Sequence, residues 1–275
     1  EEKPLIRGRG TVVGQKEGEG PLAENFDIIL KDDMYGEKSW EKAESKMLKE
    51  AMLKAVNRAG ITEKDIDVML SGDLLNQLMS SSFMARDLHI PFLGLYGACS
   101  TMTESLVLGS MLIDGGFAKN VLVGASSHFC PAERQFRMPV GLKLRPPSAQ
   151  WTATAAGSVV VSVVSAGGSG GNVVGGLASG DSAGGMMVSG QNRVRVEAAT
   201  IGKVIDAGIK DANQMGAAMA PAAVDTLLNH LEDTGRNLDY YDLVVTGDLG
   251  FIGKDIMMDL LADAGLNKKM IFSLR

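Results

Sequence analysis

Two ten-residue stretches constrain this chain more than anything else in it. Asp65-Ile66-Asp67-Val68-Met69-Leu70-Ser71-Gly72-Asp73-Leu74 is echoed by Tyr240-Tyr241-Asp242-Leu243-Val244-Val245-Thr246-Gly247-Asp248-Leu249. Asp67 answers to Asp242 and Asp73 to Asp248, at one constant offset of 175 residues. In each copy an apolar run of strand length closes on Gly-Asp-Leu, with a helical pattern before it and another after it. Two unrelated strands that merely shared a turn would agree in the motif alone. Agreement of element order on both sides marks a duplicated unit. The same offset carries the apolar run at 92–96 onto 267–271, beside a second run at Met270–Leu274. In the first copy two more strands follow, ending near Val164, and nothing in the second copy answers to them. Symmetry therefore predicts a shortened C-terminal half, lacking about 70 residues. An unfinished sheet of that kind exposes an aggregation-prone edge.

The intervening elements follow from periodicity. Trp40, Ala43, Met47, Ala51, Met52, Ala55 and Val56 fall on one face of a helix predicted over Ser39–Gly60, with Gly60 as its C-terminal cap. Strands are predicted at Ile66–Ser71, Phe92–Tyr96 and Val121–Ala125. Helices between them run to about Leu88, and from just after Cys99 to Gly115-Gly116. Apolar strands alternating with helices mean a parallel sheet between helical layers, an α/β fold. Gly157–Val164 and Arg193–Ile201 read as two long strands, the second alternating through Val194, Val196 and Ala198. Between them, residues 167–190 hold ten glycines. Such a stretch cannot bury enough apolar surface to offset its ordering entropy, and it lacks the lysine of a phosphate loop. The second half then reads as a helix at Met219–Leu231 with Pro221 near its first turn, a strand at Leu243–Thr246, a helix at about Gly253–Ala264 and a last strand at Met270–Leu274. The expected organisation is an N-terminal half over 1–165, a glycine-rich insert over 166–191 and a C-terminal half over 192–275.

Composition excludes several classes. With 45% hydrophobic and 22% charged residues the chain is an ordinary globular one. A net charge of −6 without a basic block argues against nucleic acid. Two cysteines, Cys99 and Cys130, make no disulfide framework and suit a reducing compartment. No apolar run reaches the length of a membrane span, and Glu1-Glu2-Lys3-Pro4 does not read as a signal peptide.

Cys99 is the first candidate for chemistry. It follows Phe92-Leu93-Gly94-Leu95-Tyr96-Gly97-Ala98 and precedes Thr101-Met102-Thr103-Glu104, which has the spacing of a capping box. A thiol between a strand end and a helix N-terminus feels the positive end of the helix dipole, which lowers its pKa. The competing reading is a small apolar residue chosen for close strand–helix packing. Asp73 and Asp248 end equivalent strands, where each can orient a ligand, hold a calcium ion or cap the helix that follows. His128 follows an apolar strand, as a ligand contact or a hydrogen-bonded strand cap. Glu133, Arg134 and Arg137 crowd a short segment. Near a pocket, guanidinium forks match carboxylates in a bidentate way, whereas on a solvated loop they mean little. His89 reads as a turn residue and His230 as a helix packing residue.

Several motifs together carry a resemblance. They are Ser71-Gly72-Asp73-Leu74-Leu75-Asn76-Gln77, Ile90-Pro91-Phe92-Leu93, Gly97-Ala98-Cys99-Ser100-Thr101, Asp114-Gly115-Gly116-Phe117-Ala118, Ser126-Ser127-His128, Ala132-Glu133-Arg134-Gln135-Phe136-Arg137, Gly202-Lys203-Val204, Met215-Gly216-Ala217-Ala218-Met219-Ala220-Pro221-Ala222-Ala223 and Thr246-Gly247-Asp248-Leu249. In this order, from about Gly10 to Gly265, the chain resembles a stage V sporulation family of spore-forming bacteria within the thiolase-like superfamily. The resemblance implies two duplicated halves with mixed, mainly parallel sheets in an α-β-α-β-α layering, the C-terminal half incomplete. It implies a protein that binds dipicolinic acid (pyridine-2,6-dicarboxylate, usually with calcium) for uptake into the developing spore. Such a protein works at the periphery of the spore inner membrane as a soluble component, alongside membrane-embedded proteins of the same transport complex. On this reading Cys99, Asp73, Asn76, His128, Glu133, Arg134, Arg137 and Asp248 contact the ligand, and no resident cofactor or metal is held. Thiolase-like folds pair through the strand before the cysteine helix, which implies a homodimer.

Condensing enzymes of the superfamily add to the cysteine two polar residues from the second half, two His or His and Asn, which stabilise the enolate and oxyanion. Here Asp248 stands where the first such histidine belongs, and a carboxylate repels developing negative charge. The insert is longer than the family's short turn. A His-Asp-Asp-Cys-Gly-like stretch and a Gly/Cys-rich loop of the family's C-terminal part are not in the sequence. These departures point to a binder that does not turn over. The alternatives are an acyltransferase or condensing enzyme using Cys99 on acyl thioesters, and a scaffold for membrane partners.

Overall fold

Small residues decide how the first helical layer meets the sheet. In the computed structural model, which describes residues 4–136, 150–163, 194–266 and 271–273, the chain opens with a strand, β1 (Leu5–Val13). A Cβ on Gly8 or Gly10 of this strand would run into the Ala55 or Ala51 carbonyl of the long helix above it. The strand is followed by a single turn, α1 (Gln15–Gly18), a two-residue strand, β2 (Ile28–Ile29), and that long helix, α2 (Trp40–Arg58). Ser39 caps α2 by accepting from the Lys42 N–H at 3.3 Å, and Gly60 leaves it in the left-handed region at φ +67°. Ala43, Met47, Ala51 and Ala55 form its fully buried stripe, in which Ala51 and Ala55 lie directly on Gly10 and Gly8.

From there the predicted alternation is observed: β3 (Val68–Asp73), α3 (Met79–Leu88), β4 (Phe92–Gly94), α4 (Thr101–Asp114), β5 (Asn120–Ser127), α5 (Phe129–Phe136) and β6 (Ala155–Ser162). The six strands form one sheet in the order β2-β1-β6-β5-β3-β4. Pairs β3–β4, β3–β5 and β1–β2 are parallel, while β6 runs antiparallel to both β1 and β5. The sheet is therefore mixed and mainly parallel by origin, as expected. Its one face packs on α2 and α3 through Met47, Leu48, Met52, Met69, Met84 and Leu122. The other packs on α4 through Leu70, Ile113, Val121, Val123 and Val161.

The second half contains α6 (Met215–Thr234), β7 (Val244–Thr246), α7 (Gly250–Asp263) and β8 (Ile271–Ser273). β7 and β8 pair in parallel, with Val244 opposite Ile271. Helices α6 and α7 touch backbone to backbone at Gly216 and Gly253 and share Ala220, Val224, Met257 and Leu261 as their core. The chain divides into two compact units, residues 1–132 with 153–197 and residues 133–152 with 198–275.

Three expectations change. The strand predicted at Arg193–Ile201 is reduced to one bridge, Leu5 with Arg195, and two hydrogen bonds, Ile6 N–H to Val194 and Val196 N–H to Pro4. Among the described residues no strand continues the ladder beyond Val196. The strand predicted to Tyr96 stops at Gly94, because the chain turns over Gly72 once Leu95 N–H has reached Ser71. Pro221 lies inside α6, not in its first turn, since the helix begins earlier, at Met215. The glycine-rich insert and Arg137 lie outside the described residues.

Candidate functional site

The C-terminal ends of β3, β4 and β5 carry most of the candidate residues of the first half, the usual place for a ligand in an α/β sheet. Cys99 sits in a 3-10 turn, Ala98–Ser100, that runs directly into α4. Gly72 lets that turn descend onto the sheet: a Cβ there would strike the Leu95 carbonyl and crowd the Thr101 methyl at 3.0 Å. Thr101 is 1% exposed and locks the turn from below. Its hydroxyl accepts from the Gly97 N–H at 3.1 Å and donates to the Ala98 carbonyl at 2.9 Å. Held in this way, Ala98 adopts φ +48°, a left-handed conformation costly for a residue with a Cβ. The strained residue presents Cys99 outward, and Cys99 is exposed.

The capping box expected from Thr101 and Glu104 does not form. Thr101 bonds backward into the turn, and Ser100 stands at the N-cap without a side-chain cap bond. Glu104 instead tucks beneath Gly97, where its Oε2 is shut from solvent and has no hydrogen-bond partner among the described residues. The thiol also departs from expectation. Desolvation by the surrounding protein pushes Cys99 up, outweighing a backbone hydrogen bond that lowers it. A dipole-activated thiolate is not what this turn produces.

Asp73 is 2% exposed and turned inward. One carboxylate oxygen accepts from the Ser80 N–H at 3.0 Å and the other from the Ser81 hydroxyl at 2.6 Å. Because Leu78, at the N-cap of α3, is left-handed and has no polar side chain, Asp73 supplies the cap from the strand end. Asn76 is exposed in the turn between β3 and α3. His128 is 1% exposed and engaged at both ring nitrogens, Nε2 with the Asp33 carbonyl at 2.8 Å and Nδ1 accepting from the Cys130 N–H at 3.2 Å. That pattern assigns the proton to Nε2 and leaves the ring neutral. Glu133 is half-buried and Arg134 exposed on α5.

In the second half Asp248 accepts from the Gly250 N–H at 2.9 Å, closing a turn at the start of α7, and its carbonyl accepts from Gln150. Both aspartates of the repeat thus cap the helix after their strand. His89 is the left-handed C-cap of α3 at φ +55°. His230 bonds Thr200 Oγ1 at 2.8 Å and the Tyr241 hydroxyl at 2.7 Å.

Sequence reasoning missed Glu44. It is 2% exposed on α2 and accepts from the Ser126 hydroxyl at 2.9 Å. The signal was available, since position 44 lies on the apolar stripe one turn before Met47 and Leu48.

Over residues 1–273 the chain matches the family described as Stage V sporulation protein AD. A relative from Bacillus subtilis (strain 168), Stage V sporulation protein AD, is 41% identical over 266 residues, which is 96% of this chain and 71% of the relative. Among solved structures, an OleA variant from Xanthomonas campestris matches with a TM-score of 0.62 at 11% identity, covering 99% of this chain and 84% of that one. The 3-oxoacyl-(acyl-carrier-protein) synthase III of Aquifex aeolicus matches with a TM-score of 0.56 at 13% identity, covering 98% and 84%. At these identities the structural likeness speaks for the fold, which is thiolase-like. Among the described residues, no helix is long and apolar enough to cross a membrane.

Proposed function

This chain belongs to the stage V sporulation protein AD family, and from that premise we propose that it binds dipicolinate for uptake into the developing spore without catalysing a reaction on it. The observation that carries this reading is the state of the cysteine turn. On this reading Cys99 stands where the superfamily's enzymes have their nucleophile, yet desolvation pushes its thiol up, away from the thiolate. His128 offers no base, because it is buried and engaged at both nitrogens. What remains is an exposed, rigid turn at the N-terminus of α4, where backbone N–H groups and the helix dipole favour a carboxylate. Cys99 and Asn76 are the ligand contacts on this reading, and Asp73 holds the turn between them. Calcium enters on the ligand's own carboxylates. The protein acts at the periphery of the spore inner membrane, with membrane-embedded partners of the same transport complex. On this reading a second copy pairs along β4, the edge strand of the sheet among the described residues, where Leu93 is exposed.

Thermal unfolding in a dipicolinate series tests the reading. Saturable stabilisation is expected, growing with the logarithm of ligand once sites fill. Cys99→Ala and Asn76→Ala should weaken it while leaving the unliganded midpoint nearly unchanged. No stabilisation at millimolar dipicolinate counts against binding. The solved structures that share the fold include condensing enzymes, and this keeps one rival in play. Intact mass after incubation with acyl-CoA reads it directly, because an acyl adduct on Cys99 would make the protein an acyltransferase.

A further inference from the structure

Glu44 has no part in the binding reading, and its surroundings are unusual. It enters the core from α2, and its Oε1 accepts from Ser126 Oγ at the end of β5. Ser126 is the register partner of Asp73 on β3, so both side chains stand on the same face of the sheet. Ser71, two residues earlier on that face, is fully buried, and its hydroxyl has no hydrogen-bond partner among the described residues. From α3, Ser80 and Ser81 close the group. The charges acting on Glu44 are Asp73 from β3 and Glu41 one turn earlier on α2; β5 and α3 present serines. Asp73 accepts at both oxygens, from the Ser80 N–H and the Ser81 hydroxyl. Two acids are thus held in one buried layer. Burial first, and the Asp73 charge second, push Glu44 up to about 7.

We propose that Glu44 carries the proton of a buried acid–carboxylate pair with Asp73, and that this pair makes the junction of α2, α3 and the ends of β3 and β5 a pH-sensitive joint. When the proton leaves for solvent, two like charges face each other among serines and apolar side chains. The sign follows from the two states. An unfolded glutamate titrates near 4.5 and the folded one near 7, so the folded chain holds the extra proton between those values. Stability from this pair is full at low pH and is lost as pH rises through about 7. The proposal is independent of any ligand.

Denaturant unfolding of the wild type and of Glu44→Gln between pH 5 and pH 8 tests it. The ratio of wild-type to variant folding constants should fall on the order of a hundredfold across that range. Parallel pH dependence of the two proteins would overturn the proposal. Infrared spectra of wild-type protein carrying carbon-13 glutamate provide a second reading that needs no variant. A protonated glutamate carboxyl is expected at pH 6 and lost by pH 8.5, and its absence at pH 6 would equally overturn it. Exchange of the Ser80 amide, compared at matched pH, should be faster in the wild type than in Glu44→Gln at pH 8; equal rates would mean the charge does not reach α3, against the joint.

Discussion

A thiol pushed up by its surroundings makes Cys99 a slow nucleophile despite its exposure. Alkylation by iodoacetamide, read by peptide mapping to separate Cys99 from Cys130, should lag a free cysteine peptide at pH 7 and gain on it as pH rises. Labelling faster than the peptide at pH 7 would mean an activated thiolate and would restore the catalytic reading. Asp73 makes a different prediction. Asp73→Ala removes the acceptor of a buried N–H and a buried O–H, at a cost of about 2 kcal/mol, measured as a lower urea midpoint. The sequence showed Asp73 and Asp248 as a pair and left three roles open for each. It could not show that Asp73 reaches seven residues along to Ser80, because that reach depends on how the loop over 74–78 folds. Glu44 was legible from its place on an apolar stripe, whereas its partnership with Asp73 required the register of β3 against β5.

At the scale of elements, the repeat was the most legible feature and it holds in detail. The helix at 40 recurs at 215, the 3-10 turn at 63–65 recurs at 238–240, and Met69, Leu70 and Ser71 recur as Val244, Val245 and Thr246. Register is lost only afterwards: Phe92, opposite Met69, has Ile271 as its counterpart, later than the predicted 267. A short turn precedes a longer helix in the second copy, and periodicity cannot fix such a slip. β1 escaped notice because Gly8 and Gly10 interrupt its apolar pattern. Those glycines are there for α2. Gly10→Ala would push a methyl into the Ala51 carbonyl, and the helix must lift off the sheet. The expected loss is about 2–3 kcal/mol, the range for overpacking, checked by denaturant unfolding with an unchanged m-value. A loss below 0.5 kcal/mol would mean that α2 is free to shift.

At the scale of the whole molecule, the two units carry unequal cores. In the first, α2, α3 and α4 sandwich six strands, and Met47, Leu48, Met52, Met69, Met84, Leu122, Val121 and Leu70 are all sealed from solvent. In the second, the buried apolar group is Ala220, Val224, Leu249, Met257 and Leu261, with Val244 of the two described strands packed against it. Apolar side chains there face water instead: Leu243 is 53% exposed, Val245 52%, Ile201 73% and Val204 96%. Burial of apolar area is the main favourable term in folding, so the free energy that closes each unit scales with these cores. Local opening should therefore cost least in the second unit. Native-state hydrogen exchange is expected to show the strongest protection in α2, β5 and β6 and markedly faster exchange in α6 and α7, although α6 is the longer helix. Addition of low denaturant should accelerate α6 and α7 before α2 responds. Equal protection across the two units would mean that they open as one cooperative body, and core size would then not set the order of unfolding.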